Sequence, residues 1–276
     1  MEVPEFTLSN SMKIPALGLG TWNLNGKKCI EAVSTAIRLG YRHIDTAEIY
    51  MNHKAVAQGI IESNTKREEL FITSKVWHSN LHYKGVISSC EKTLNELQIK
   101  YLDLYLIHWP NRSIPFQETI EALEKLVDEN NIRSYGVSNF TIRHIKDVLI
   151  LSKKPIVANQ VEFHPLLYQK ELLEFCRTKE ISVIAYSPLA HGHIFKNNMI
   201  NEIAQEYGKN AGQISLRWLF QKNIISIPKA SSEAHLRENL EIFDFQLKEK
   251  DVERIDSIGM VKRVINPLFL SDFKYR

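Results

Sequence analysis

The chain has 276 residues, 44% apolar and 24% charged, with a net charge of +3, which suits one large domain or two small ones with a real core. So small a net charge gives no footprint for nucleic acid or a membrane surface, and no apolar run approaches the roughly 20 residues that span a bilayer. Met1-Glu2-Val3-Pro4-Glu5 is acidic and has no secretory apolar stretch, and Cys29, Cys90 and Cys176 are odd in number and far apart, so reduced thiols in a cytoplasm are expected.

In chain order, Phe6-Thr7-Leu8 and Lys13-Ile14-Pro15 flank a polar Ser9-Asn10-Ser11-Met12 turn and read as a small hairpin. Leu17-Gly18-Leu19-Gly20-Thr21-Trp22 is a short apolar strand, and 27–39 has helical spacing that stops at Gly40. Strands then end at Asp45, Lys75 and His108, with helices expected over 54–63, 83–97 and 116–130. Strand 134–137 leads into Ser138-Asn139 and a helix over 141–151. Strand 156–158 ends in Asn159-Gln160 and precedes a helix over 170–179. Val183-Ile184-Ala185 ends in Tyr186-Ser187-Pro188 before helices over 199–207 and 212–221. Strand 224–227 ends in Pro228-Lys229 before a helix from Ser232. An added helix over 248–258 and an irregular tail over 261–276 complete the chain.

Eight apolar strands alternating with helices, with no linker between them, predict one (β/α)8 barrel domain over 1–276. Strand ends recur about every 30 residues, a natural βα length. A doubly wound sheet is the alternative, but its G-x-G-x-x-G turn is incomplete, because Gly18-Leu19-Gly20 runs into Thr21-Trp22-Asn23. In a barrel the C-terminal strand ends meet at one rim. Asp45, Lys75, His108, Asn139, Gln160, Tyr186 and Lys229 would then share one site despite their separation in sequence.

Taken singly, each of these residues has an ordinary explanation. Asp45 could cap a helix, Lys75 could end a strand in solvent, His108 could be a core histidine, and Tyr50 could be a packing residue. Trp22, Trp77 and Trp109 could be barrel packing. Their coincidence at strand ends argues for a pocket, since a carboxylate, a phenol, an amine and an imidazole form a complete proton-transfer set beside aromatic walls.

The segment Gly40-Tyr41-Arg42-His43-Ile44-Asp45-Thr46-Ala47-Glu48-Ile49-Tyr50 resembles the Gly-x-Arg-x-Ile-Asp-Thr-Ala-x-x-Tyr motif of the aldo-keto reductases. Leu104-Tyr105-Leu106-Ile107-His108-Trp109-Pro110 resembles the family's middle signature. Ile227-Pro228-Lys229-Ala230-Ser231 through Glu238-Asn239-Leu240 resembles its last one. The resemblance covers nearly the whole chain. It implies a (β/α)8 barrel opened by a β-hairpin and an NADPH-dependent reduction of an aldehyde or ketone, with Asp45, Tyr50, Lys75 and His108 as the catalytic set.

Reducing a carbonyl needs a hydride at carbon and a proton at oxygen. A phenol with an ordinary pKa of about 10 is a reluctant acid near neutrality, so Lys75 is expected to stabilise the Tyr50 phenolate. Asp45 would hold Lys75, and a neutral His108 would orient the substrate oxygen. On the cofactor side the resemblance implies Ser138, Asn139 and Gln160 at the nicotinamide carboxamide and Tyr186 stacked on its ring. Ser187, Pro188 and Leu189 would lie along the pyrophosphate, Lys229 at the 2′-phosphate, and Glu238 with Asn239 at the adenine. Gly20, Thr21, Trp22, Asp45, Pro228, Ser231 and His235 complete the implied cofactor contacts. Trp22, Tyr50, Trp77, His108 and Trp109 are the implied substrate contacts.

Two positions depart from the pattern. His235 stands where the family often has arginine, and Ala230 where it often has serine or threonine. Both weaken recognition of a 2′-phosphate and imply a narrow preference for NADPH over NADH. The short 109–115 loop and short tail resemble those of bacterial diketogluconate reductases and general aldehyde reductases, members with open sites. A monomer with no nucleic-acid or membrane partner is expected. Two other readings stay open: a non-catalytic cofactor-binding subunit, and a Schiff-base aldolase acting through Lys75.

Overall fold

Strands buried on both faces read as continuous apolar runs rather than alternating ones, and the eight short runs of this chain are of that kind. In the computed structural model, which describes residues 3–259 and 261–267, they form one parallel sheet. A separate antiparallel pair precedes it, β1 (Glu5–Thr7) with β2 (Lys13–Pro15), in register Phe6 to Ile14. The sheet runs in sequence order through β3 (Leu19–Gly20), β4 (His43–Asp45), β5 (Phe71–Val76), β6 (Leu104–Ile107), β7 (Tyr135–Ser138), β8 (Ile156–Glu162), β9 (Ser182–Tyr186) and β10 (Ile225–Ser226).

The first and last strands meet. Leu17 bridges Ser226 in parallel, Gly18 N donates to Ser226 O at 2.8 Å, and Ser226 N donates to Ala16 O at 3.0 Å. Helices of 8–15 residues cover the outside, among them Gly26–Arg38, His53–Ser63 and Tyr83–Leu97. The barrel predicted from the sequence is the barrel found. The Gly18-Leu19-Gly20 pair serves this closure, because a Cβ on Gly20 would lie 2.6 Å from Ile227 O and one on Gly18 the same distance from His43 Nδ1.

The core has two layers. Leu104, Leu106, Ala158, Ile184 and Ile225 fill the barrel interior together with Leu8 and Ile14 of the hairpin region, so the hairpin plugs the interior. A larger layer between sheet and helices includes Tyr41, Tyr105, Phe163 and Trp218.

Some element bounds depart from the sequence expectation. β8 runs on through Val161 and Glu162, beyond the expected end at Gln160, because Gln160 and Glu162 stay inside the barrel mouth, both buried and hydrogen-bonded. A 3-10 segment, Ala190–Lys196, interrupts the stretch after β9, with Ala190, His191 and Gly192 all at positive φ. The expected helix at 248–258 is Glu249–Asp256. Of the expected irregular tail, 261 and beyond, residues 261–267 are irregular and 268–276 lie outside the described residues. No helix among the described residues is long and apolar enough to cross a membrane.

Candidate active site

The rim at the strand C-termini encloses a cavity of about 580 Å³. Asp45 ends β4, and the chain turns through Thr46 and Ala47 into a short 3-10 turn, Glu48–Tyr50, which places the phenol one turn above the carboxylate. Asn52 fixes this loop. It accepts from Thr46 Oγ1 at 2.8 Å and donates to Thr21 O and Leu24 O, both at 2.9 Å. Met51 adopts the left-handed conformation at φ 53° to make the turn.

Lys75 projects inward from β5 and is fully buried. Its Nζ donates to Asp45 Oδ1 at 2.5 Å and to Thr46 O at 2.8 Å, and lies 3.5 Å from Tyr50 Oη. The second Asp45 oxygen accepts from Gln160 Nε2 at 2.7 Å. Burial lowers the Lys75 pKa and raises that of Asp45, each opposed by the other's charge. Burial, and then the negative Asp45, raise Tyr50 well above 10. The expectation that Lys75 depresses the resting Tyr50 pKa is therefore corrected. Burial and the Asp45 charge outweigh the ammonium 3.5 Å from the phenol, so the resting phenol stays protonated.

His108, one residue past β6, is packed edge-on against Tyr50 and Trp77, with ring centroids 5.6 and 5.3 Å away. Burial first, then the charge of Lys75, hold its pKa well below 6.5, so the ring is neutral. Its Nδ1 is buried without a hydrogen-bond partner. A neutral imidazole carries one N–H, and a lone pair is the form better left unpaired at Nδ1. The proton belongs on Nε2, where it can be donated into the cavity.

The cavity wall includes Trp22, Ile49, Trp77, Trp109 and Phe195. Trp22 is half exposed and meets Tyr50 edge-on at 4.9 Å. Glu48 anchors the Trp77 loop, its Oε2 accepting from Trp77 N at 2.9 Å and its Oε1 from Asn80 Nδ2 at 2.7 Å. Lys75 itself is absent from the described cavity lining, its Nζ held by Asp45 and Thr46, so a Schiff base through Lys75 has no support in this geometry.

Gly20, Asn139, Gln160, Tyr186, Ser187, Pro188, Leu189, Pro228 and Lys229 line the other end of the same cavity. Asn139 sits at φ 62° with its amide spoken for: Oδ1 accepts from Tyr186 Oη at 2.7 Å, and Nδ2 donates to His108 O and Ser138 Oγ. Ser138 Oγ donates to Gln160 O at 2.8 Å. Gln160 Oε1 has no hydrogen bond among the described residues and lies on a cavity-lining side chain, an acceptor suited to a carboxamide NH₂. Tyr186 and Gln160 are the residues that would hold a flat amide-bearing ring here.

Other expected residues stand back from the cavity. Thr21 is buried and donates to Asp45 O, which makes it a support for Asp45. Ser231 and Glu238 are half-buried and Asn239 is buried, on or beside the helix Glu233–Leu240. His235 is exposed on the same helix, and its N–H caps onto Ser232 Oγ. Arg237 turns away to Glu233 with two bonds of 2.9 and 2.6 Å. Lys229 is exposed at the cavity mouth.

The sequence reading missed Glu48, Asn52, Glu162, Ile265 and Pro267. Glu48 lies inside the best-read motif, and Glu162 shares the inward β8 face with Gln160, so period-two spacing was an available signal. Ile265 and Pro267 carry no sequence signal for facing the cavity. A second buried chain, Ser74–His53–Glu96, has the order of a hydrolytic triad, with links of 3.1 and 3.1 Å. Ser74 is fully buried and does not line the cavity, so the chain ties β5 to two helices.

A buried Asp45–Lys75–Tyr50 cluster beside an amide-lined groove, at the C-terminal rim of a (β/α)8 barrel, is an arrangement suited to an enzyme active site. A sequence model of the Aldo/keto reductase family matches residues 16–260. The chain belongs to that family. It is 44% identical to a glyoxal reductase of Bacillus subtilis over 93% of both chains. It is 42% identical to a 9,11-endoperoxide prostaglandin H2 reductase of Trypanosoma cruzi over 94% of this chain and 92% of the relative. Among solved structures, an aldo-keto reductase complexed with NADPH superposes with a TM-score of 0.93 at 34% identity, over 99% of this chain and 93% of the other. A putative 2,5-diketo-D-gluconic acid reductase B superposes with a TM-score of 0.91 at 36% identity, over 94% and 93%.

Proposed function

We propose that Tyr50 is the proton donor in an NADPH-dependent reduction of an aldehyde or ketone carbonyl. The chain is an oxidoreductase of the aldo-keto reductase family, and NADPH supplies the hydride to the carbonyl carbon. The observation that carries the role of Tyr50 is its phenol, 3.5 Å from a lysine that is itself 2.5 Å from a buried carboxylate. Burial keeps the phenol protonated at rest, the form a reduction needs. As the proton leaves, negative charge grows on the phenol oxygen beside the Lys75 ammonium, in a site where the attraction is weakly screened. Asp45, braced by Gln160, keeps that ammonium in place. His108 offers Nε2–H to the carbonyl oxygen and orients it toward Tyr50.

Gln160 and Tyr186 hold the nicotinamide end, Asn139 fixes the Tyr186 hydroxyl, and Lys229 meets the 2′-phosphate at the open mouth. With Lys229 the one Lys or Arg among the described residues lining the cavity, NADPH is preferred narrowly and NADH also serves. The wall of Trp22, Ile49, Trp77 and Trp109 is apolar and open on one side, which fits small and aromatic carbonyl compounds. The working unit is a single barrel domain, a cytoplasmic monomer.

The test is a panel of aldehydes and ketones with NADPH and NADH, run on the unaltered enzyme and on Tyr50→Phe. Losing a general acid lowers the rate by about 10² to 10⁴. Tyr50→Phe is expected to lose turnover on this scale while binding NADPH as before. Turnover near that of the unaltered enzyme would remove Tyr50 from its role.

A further inference from the structure

Glu162 is buried at the mouth end of β8 and takes no part in the relay. Both of its oxygens are committed to a distant piece of chain. Oε1 accepts from Val264 N at 2.7 Å, and Oε2 from Ile265 N at 2.8 Å. His164 Nε2 lies 3.0 Å from Oε1 and closes the group. Just beyond, Lys262 N donates to Leu166 O at 2.7 Å. The segment 262–265 is thus laced to the residues that follow β8. The same segment delivers Ile265 and Pro267 to the cavity wall. Backbone N–H bonds to a carboxylate are roughly twice as strong as neutral ones. A glutamate is almost never buried this deeply unless it is paired, and here the partners are the two backbone N–H groups and His164.

We propose that Glu162 is a positioning residue for substrate selection: it clasps segment 262–265 and so holds Ile265 and Pro267 as the outer wall of the carbonyl pocket. The proposal rests on the reading of this cavity as the carbonyl site. A two- or three-carbon aldehyde is held at Tyr50 and His108 and has little need of this wall. An aromatic aldehyde extends past them and gains its apolar contact from Ile265. Gln160, two residues back on the same face, braces Asp45. One strand end therefore sets both the proton relay and the pocket wall, with separate residues.

The experiment compares Glu162→Gln with the unaltered enzyme on benzaldehyde and propanal, with NADPH affinity and trypsin cleavage after Lys262 and Arg263 measured alongside. The glutamine amide keeps the shape but points an NH₂ at a backbone N–H. The benzaldehyde KM is expected to rise about tenfold with kcat within about twofold, while the propanal KM and the NADPH Kd move by less than about twofold. Cleavage after 262 and 263 is expected to quicken several-fold. Val264→Pro deletes one donor from the surface side, leaves the buried carboxylate in place, and is expected to give the same split. It decides the matter should Glu162→Gln not fold. An equal effect on both aldehydes in either variant, or unchanged cleavage in folded Glu162→Gln, overturns the clasp; Val264→Pro is judged by the aldehydes alone, because trypsin does not cut before proline. If the unaltered enzyme reduces neither aldehyde with NADPH, the carbonyl reading itself has failed, and the cleavage rates still judge the clasp.

Discussion

At the scale of single residues, the proposed chemistry turns on the Asp45–Lys75 pair and its effect on Tyr50. Lys75→Met leaves Asp45 charged, buried and unpaired except for Gln160, and leaves a nascent phenolate without its cation. Turnover is expected to fall by at least about 10². The alkaline limb of the reduction profile, already above the ordinary tyrosine value of about 10 because Tyr50 is raised, is expected to move higher still. A pH–rate profile of the folded variant identical to that of the parent would contradict the role of Lys75. His108 is held neutral by burial and the nearby ammonium, so reduction should show no acid limb near the histidine value of about 6.5. At the adenosine end, His235 is exposed and Arg237 is committed to Glu233, which leaves Lys229 as the cation at the cavity mouth. His235→Arg adds a guanidinium able to grip two phosphate oxygens. A charge-assisted bond of about 1.5 to 3 kcal/mol would raise the NADPH-to-NADH ratio of kcat/KM by one or two factors of ten. An unmoved ratio would show that the phosphate is met elsewhere.

At the scale of elements, the short strands at the two ends of the sheet are the sensitive joint. β3 and β10 have only two residues each, and the closure between them depends on Gly20 having no side chain. Gly20→Ala would put a methyl 2.6 Å from Ile227 O, a backbone atom that can move only with its strand. Overpacking of this kind costs about 1–3 kcal/mol, which lowers Tm by a few degrees in a protein of this size. Gly259→Ala, whose methyl would meet nothing within 4 Å, is the control expected to leave Tm unchanged. A Gly20→Ala melt matching the control would refute this account of the closure. Strand and helix positions were legible because each apolar run is short, fully buried and followed by a helical period. The extension of β8 was not. Gln160-Val161-Glu162 looks like the polar end of a strand, and only the barrel mouth supplies the amides and N–H groups that allow Glu162 to stay inside.

At the scale of the whole molecule, three buried histidines set the acid stability. Burial lowers the pKa of His43 to about 3, and it also depresses those of His53 and His108. In the unfolded chain each takes up a proton below about 6.5, whereas the folded protein cannot, so the unfolded state binds more protons as pH falls. No penalty exists above that value. Below it each histidine removes about 1.4 kcal/mol per pH unit until its folded pKa is reached, which for His43 is near 3. Asp45, raised by burial, works in the opposite sense and offsets part of this. Tm is expected to hold from pH 8 to 6.5 and to drop steeply between 6 and 4. His43→Gln should flatten the drop by one histidine's share, and a Tm independent of pH over that range would refute the account. The sequence by itself determined the barrel and singled out Asp45, Tyr50, Lys75 and His108 as the candidate proton-transfer residues. Both follow from local signals, the alternation of strand and helix and the side chains that end each strand. Only the tertiary structure decided what those groups do to one another. The direction of the Tyr50 pKa, the tautomer of His108, the burial of Lys75 away from the cavity and the clasp of Glu162 on 264 and 265 depend on distances between residues up to 115 positions apart. Desolvation and Coulomb attraction act through those distances, and no local pattern in the sequence carries them.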